Sequence, residues 1–298
     1  MKTYHDIVGD GGSDIAGQVA GREARVRARM ASVAHSLAVM SGKGGVGKSA
    51  VTANLAAALA MLGHRVGVLD ADINGPCMAK MLGVRGEALK LAQDSVQPAA
   101  GPLGIKVVSM DLLLPRTAAP VEWDAPAPPH PHTWRGALEA TALEEFLADT
   151  AWGELDFLLV DLPPGPERFP GLHSLLPRCD GVIAVTIPSQ VAQLTVQRSV
   201  ISAQRLKARL LGVVENMCNY LCPQCGASQP LFPAEGEAQA AALSVPVLAR
   251  IPFDPRLAAC CDRGVPFVAA HRATAAGTAF MALAARVSGH CDSREEER

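Results

Sequence analysis

The chain has few aromatic residues, 4% of 298, and almost no net charge, with 27 Lys and Arg set against 29 Asp and Glu. So few rings argue against a ladder of stacking platforms for single-stranded nucleic acid. A formal charge of -2 leaves no bulk attraction to a phosphate backbone or an anionic membrane, so no nucleic-acid or membrane partner is expected. Long apolar runs are lacking too, since the most apolar stretch, Leu55 to Gly63, is about half of what a bilayer crossing takes. Met1 to Ser13 carries Asp6 and Asp10 and has no apolar core. That predicts no signal peptide and a cytoplasmic protein with reduced thiols. What is present is a composition that folds, 49% hydrophobic and 19% charged. A chain of this length needs no disulfide framework, so its eight cysteines invite a metal reading.

Short β-rich runs alternate with helix-length segments from Leu37 onward. The runs are Leu37 to Met40, Val66 to Leu69, Ile105 to Val108, Phe157 to Val160, Val182 to Ile187, Leu211 to Val214 and Val245 to Ile251. Amphipathic candidates lie between them at Lys48 to Leu62, Leu138 to Asp149, Val191 to Lys207 and Thr274 to Val287. Continuous apolar strands separated by helices predict an α/β fold with a mostly parallel, doubly wound sheet. The expected organisation is an N-terminal arm over 1–34, partly disordered or helical, then one domain over 35–287 and a charged tail over 288–298. In the arm, Arg22, Arg25 and Arg29 recur at helical spacing and read as a solvated face. Pro115 to Pro131 holds six of the 22 prolines, which predicts a loop or lid across 115–132. His130 and His132 in it read as exposed side chains.

Gly42-Lys43-Gly44-Gly45-Val46-Gly47-Lys48-Ser49 fits G-x-x-x-x-G-K-[ST], directly after a strand candidate and before a strong helix. Its glycines let backbone N–H groups turn toward phosphate oxygens, and the helix start adds its positive end. Lys48 would reach the β- and γ-phosphates, and the Ser49 hydroxyl would ligate Mg²⁺. The nucleotide-binding set is therefore Gly42, Gly44, Gly45, Val46, Gly47, Lys48, Ser49 and Ala50. Asp70, Asp72 and Asp161 follow at the ends of later strand candidates, where ligands of an open α/β sheet gather. Each alone reads equally as a helix or turn cap.

The second lysine, Lys43, makes this loop resemble the deviant Walker A motif of P-loop ATPases that include MinD, ParA and the nitrogenase iron protein. There the extra lysine crosses a dimer interface, which implies for Lys43 an ATP-dependent homodimer. Asp70 and Asp72, in Val68-Leu-Asp-Ala-Asp-Ile-Asn-Gly-Pro76, resemble the switch I segment, with Asp72 orienting the attacking water. Asp161, in Leu158-Leu-Val-Asp-Leu-Pro-Pro-Gly165, resembles Walker B running into switch II and would hold Mg²⁺ through water. The implied catalytic set is Lys43, Lys48, Asp72 and Asp161.

Cys222-Pro-Gln-Cys225-Gly226 is a turn that can aim two thiolates at one metal centre, though one pair is half of a closed site. A thioredoxin-like redox pair and a buried structural pair are the other readings. Cys218 extends the spacing to that of radical S-adenosylmethionine enzymes, within a CxxC segment spanning 218–226, but the layout lacks their β/α barrel. Cys260 and Cys261 lie in an Ala-rich helical stretch and read as small core or surface residues. Together with Trp134-Arg-Gly136, Trp152-Gly-Glu-Leu-Asp-Phe157 and Gly212-Val-Val-Glu-Asn-Met217, these motifs resemble the Mrp-type (ApbC-like) iron-sulfur cluster carrier ATPases from about Leu37 to Val287.

The resemblance implies a slow ATPase that carries a 4Fe-4S cluster bridging two subunits at Cys222 and Cys225, receives it from an iron-sulfur donor and passes it to apoproteins. It also places Asn216 near the adenine. Two other functions are a MinD/ParA-like positioning switch and a nucleotide-binding regulatory pseudoenzyme. The C-x-x-C pair has no role in the switch. The chain departs from the family at switch II, usually P-P-G-T-x-D, where it has Pro163-Pro-Gly-Pro-Glu-Arg168, and at Pro233-Ala-Glu-Gly-Glu237, where a Gly-rich stretch is usual.

Overall fold

The structure is a computed structural model describing residues 15–92, 95–113, 131–222, 224–232 and 245–292. The N-terminal 1–14, residues 114–130 of the proline-rich segment with His130, the stretch Pro233 to Glu237 and the charged end after Asp292 lie outside the described residues.

All seven apolar runs form strands: β1 (Val33–Ser41), β2 (Val66–Asp70), β6 (Lys106–Val108), β7 (Leu155–Asp161), β8 (Gly181–Thr186), β9 (Leu210–Leu221) and β11 (Val247–Phe253). Four short strands carry no apolar run and were not legible: β3 (Lys90–Ala92), β4 (Ser95–Gln97), β5 (Ala99–Ala100) and β10 (Ser228–Pro230). One sheet holds nine strands in the order β10-β9-β8-β1-β7-β2-β6-β5, with β11 also pairing with β9, and β3 and β4 form a separate hairpin. The seven strands formed by the apolar runs are parallel to one another, while β5 and β10 are antiparallel at the margins.

The helices are α1 (Ile15–Met30), α2 (Lys48–Met61), α3 (Met78–Met81), α4 (Pro131–Asp149), α5 (Arg168–Leu175), α6 (Gln190–Arg205), α7 (Pro255–Arg263), α8 (Phe267–Ala270) and α9 (Ala275–Asp292). Alternation along β1 divides the core. Leu37 and Val39 pack with α2, α3, α7, α8 and α9, whereas Ala38 and Met40 pack with α1, α4, α5 and α6. Helices on both faces bury β1, β2, β7 and β8 almost completely, which is why these strands carry near-continuous apolar runs.

Two boundaries and the packing of the N-terminal helix were not expected from sequence. Helix α4 begins at Pro131, inside the segment expected to be a loop, because proline fits the first helical turn, where its missing N–H has no partner to lose. Helix α9 continues past Val287 to Asp292, with Ser288 and Cys291 buried. Helix α1 packs on the domain: Val26 and Met30 are buried, and Arg22 and Arg25 pair with Glu144 and Asp149 of α4 at 3.1 and 3.4 Å. No helix among the described residues is long and apolar enough to cross a membrane.

Candidate functional site

β1 lies between β7 and β8, while the chain's next strand, β2, pairs on the far side of β7. The strand order therefore reverses at the end of β1, and a crevice opens there in sheets of this kind. The 42–49 loop occupies that position. Ser41 donates from Oγ to the Lys43 carbonyl at 3.1 Å, and Gly47, at φ +80°, turns the chain into α2. Two glycines are required by contact, and Gly47 by conformation as well. A β-carbon on Gly42 would lie 2.2 Å from the Thr195 carbonyl carbon in α6, and one on Gly47 would lie 2.3 Å from Asn216 Nδ2. Asn216 thus sits against the loop, donating from Nδ2 to the Val46 carbonyl at 3.0 Å.

Asp161 is fully buried and gathers three side-chain donors from α2. Lys48 Nζ lies 2.5 Å from Oδ2, Ser49 donates from Oγ to the same oxygen at 2.6 Å, and Thr52 donates from Oγ1 to Oδ1 at 2.6 Å. Lys48 also donates to Ser49 Oγ at 3.0 Å and is itself 6% exposed, so the pair is a desolvated charge-assisted contact. The hydroxyl of Ser49 and the carboxylate of Asp161 are hard oxygen donors, the chemistry that suits Mg²⁺. Thr52, four residues after Lys48, was missed from sequence. Its helical spacing from the motif was the available signal.

Asp70 faces Asp161 directly in the β2–β7 register. It accepts from the Cys77 and Met78 N–H groups at 2.9 and 3.0 Å and from Ser109 Oγ at 3.0 Å, and so caps α3. Burial, followed by the charge of Asp161, pushes its carboxyl up to about 7, against those donors. The sign of the linkage follows. A carboxyl whose folded pKa lies above its unfolded value holds its proton more tightly when folded. Its contribution to stability is complete below the unfolded value and is lost as pH rises through about 7. The urea midpoint of the nucleotide-free chain is expected to fall between about pH 5 and about pH 8, and Asp70→Asn to flatten that fall. An equal fall in both proteins would refute the assignment.

Asp72 is half-buried, and its Oδ1 accepts from the Gly75 N–H at 3.1 Å, closing a turn. Lys43, Lys48, Ser49, Asp72, Cys77 and Pro164 are among the residues lining a cavity of about 270 Å³ along the loop. Cys77 was also missed from sequence. Burial pushes its thiol up to about 12, so it meets this cavity as a neutral group. Gly44 and Gly45 are exposed, Val46 is buried, and Ala50 is half-buried in the first turn of α2.

The cysteine pair lies in the turn between β9 and β10. Cys222 donates its N–H to the Ala227 carbonyl at 3.0 Å and accepts at its own carbonyl from Gly226 at 2.8 Å, with Gly226 at φ +71°. The Cys222 sulfur accepts from the Cys225 and Gln224 N–H groups and from the Cys225 thiol, which hold its pKa below the ordinary thiol range. Cys222 is half-buried and Cys225 exposed. Cys218 points elsewhere in bonding terms, donating from Sγ to Asn219 Oδ1 at 3.1 Å. Among the described residues no three His, Cys, Asp or Glu side chains converge as metal ligands, so the three-cysteine spacing does not form a three-thiol set. A cavity of about 470 Å³ beside Cys222 is lined by Tyr220, Phe253 and Arg256, among others. Cys260 is buried and Cys261 half-buried, both in α7.

The chain is 40% identical to an iron-sulfur cluster carrier protein of Saccharolobus solfataricus over 91% of its own length and 88% of the relative's. A solved nucleotide-binding protein of Archaeoglobus fulgidus, in complex with ADP, superposes with a TM-score of 0.68 at 33% identity, covering 82% of this chain and 92% of that one. The cell division ATPase MinD of Pyrococcus furiosus shares the fold, with a TM-score of 0.59 at 22% identity over 86% of this chain and 98% of its own. Residues 32–288 match the NUBPL iron-transfer P-loop NTPases of the ParA group, and the chain belongs to that family.

Proposed function

We propose that the chain is a slow, homodimeric ATPase that binds a 4Fe-4S cluster between two copies and transfers it to apoproteins. The observation that carries this reading is the Cys222–Cys225 turn, whose N–H groups favour the sulfur in its charged, ligating form. It stands at the end of β9, the strand whose Asn216 holds the phosphate loop. A four-iron cluster takes four thiolates, and a twofold pair of chains brings two from each.

At the nucleotide, Lys48 would neutralise phosphate charge and Lys43 would reach the nucleotide of the second copy. Ser49 and Asp161 would hold Mg²⁺, which supplies charge neutralisation on the phosphate oxygens. Asp72 would orient water, and Asn216 would lie near the adenine. Nucleotide-dependent shifts of the phosphate loop would act on β9 through Asn216 and change how the cysteine turns of two copies meet. Cargo comes from an iron-sulfur donor. The positioning-switch alternative leaves the cysteine turn unused, and the apolar face of α9 is packed into the core by Phe280, Leu283 and Val287.

Anaerobic reconstitution with iron and sulfide tests the reading. The expected product is brown, with about four iron and four sulfide per pair of chains and the mass of a dimer. A colourless, zinc-only monomer would overturn it.

A further inference from the structure

Two loops contribute to the phosphate cavity, Asp72 and Gly75 from the turn after β2 and Pro164 from the segment after β7. Both are tied to one carboxylate on a helix that belongs to neither. Asn74 donates from Nδ2 to Glu139 Oε1 at 2.5 Å, and Arg168 donates from Nη1 to Glu139 Oε2 at 3.0 Å. Each loop has its own oxygen, so the two bonds do not compete. The Glu139 side chain is 12% exposed and that of Arg168 39%, which leaves the ion pair only partly screened.

Each tie acts close to the nucleotide loop. Asn74 sits in the Asp72–Gly75 turn, closed by the Gly75 N–H on Asp72. Arg168 opens α5 just after Gly165, whose N–H donates to the Ser41 carbonyl at the root of the phosphate loop at 3.0 Å. The positive charge of Arg168 against the Glu139 carboxylate makes this tie an ion pair at 3.0 Å. Pro166 in the same segment fixes its own φ and narrows the paths by which that segment can move. Helix α4 continues the connection to α1 through Glu144 and Asp149.

We propose that Glu139 is a positioning residue that couples the two cavity loops, so that nucleotide-driven movement of either loop is imposed on the other. The proposal rests on the reading that nucleotide binds at this loop. Two loops held on one side chain reach the reactive geometry together, which reduces the states in which only one is placed.

Hydrogen exchange of the 72–77 and 163–168 segments, with and without Mg²⁺ and a non-hydrolysable ATP analogue, is the discriminating measurement. In the unaltered chain both segments gain protection together. In Glu139→Ala the analogue protects one segment without the other, and kcat for ATP falls about 5- to 10-fold with KM changed less than about twofold. Arg168→Ala gives a loss of similar size, and the double variant is no worse than either single, the non-additivity of a shared contact. Glu139→Gln keeps an acceptor for Asn74 and loses the charge that holds Arg168, so it frees the 163–168 segment alone and guards against a folding artefact. Joint protection in Glu139→Ala equal to the unaltered chain, or additive losses in the double variant, would overturn the clasp and leave the nucleotide reading intact. Absence of protection in the unaltered chain would overturn both.

Discussion

Lys48→Ala is expected to lower ATP turnover by about 100- to 1000-fold, the usual effect of removing one preorganised donor from developing phosphoryl charge. The same substitution also weakens the nucleotide-free chain. Lys48 is the cation beside Asp161, which is completely buried, and truncating one partner of a buried pair costs about 3–5 kcal/mol because the remaining charge is uncompensated. Ser49 and Thr52 still donate to Asp161, which places the expected cost at about the lower end of that range. Urea unfolding without nucleotide and phosphate release with it measure the two effects separately. Lys43→Ala supplies the contrast. Lys43 forms no ion pair with any described residue, so its loss is expected to reduce turnover while leaving the urea midpoint in place. Equal destabilisation by the two substitutions would mean that Lys48 and Asp161 do not form the pair seen in the structure.

Cys222→Ala and Cys225→Ala are each expected to reduce bound iron and sulfide at least about tenfold after anaerobic reconstitution, because each removes half of the thiolates that a chain contributes to a four-thiolate cluster. Stability is expected to change by no more than about 0.5 kcal/mol for Cys225, which is exposed in its turn. Loss of metal without loss of fold separates a ligand from a structural cysteine. Cys218→Ala is the control. Its thiol is engaged with Asn219 and burial raises its pKa, so iron content is expected to persist. Iron and sulfide at the unaltered level in both Cys222→Ala and Cys225→Ala would sink the cluster assignment.

Much of the fold was legible because a buried parallel sheet imposes a local signature. Every strand covered on both faces needs an uninterrupted apolar run, and all seven such runs became strands. The short marginal strands β3, β5 and β10 carry no such signature, since a strand of two or three residues at an edge or in a hairpin makes few contacts on either face. The start of α4 departs from the loop expectation for a different reason: Pro131 stands at the first helical position, where proline ends no helix.

By itself the sequence determined the phosphate loop, the order of the seven main strands and the cysteine motif, because each depends on residues within a few positions of one another. Tertiary structure alone decided what those pieces touch. Thr52 meets Asp161 across 109 positions, Asn216 holds Val46 across 170, and Glu139 ties Asn74 to Arg168 across 65 and 29. Apart from the four-residue spacing of Thr52 from Lys48, none of these contacts has a period or a spacing to read. Each exists because parallel strands bring their ends to one edge of the sheet, where side chains remote in the chain must satisfy the same buried carboxylates and carbonyls.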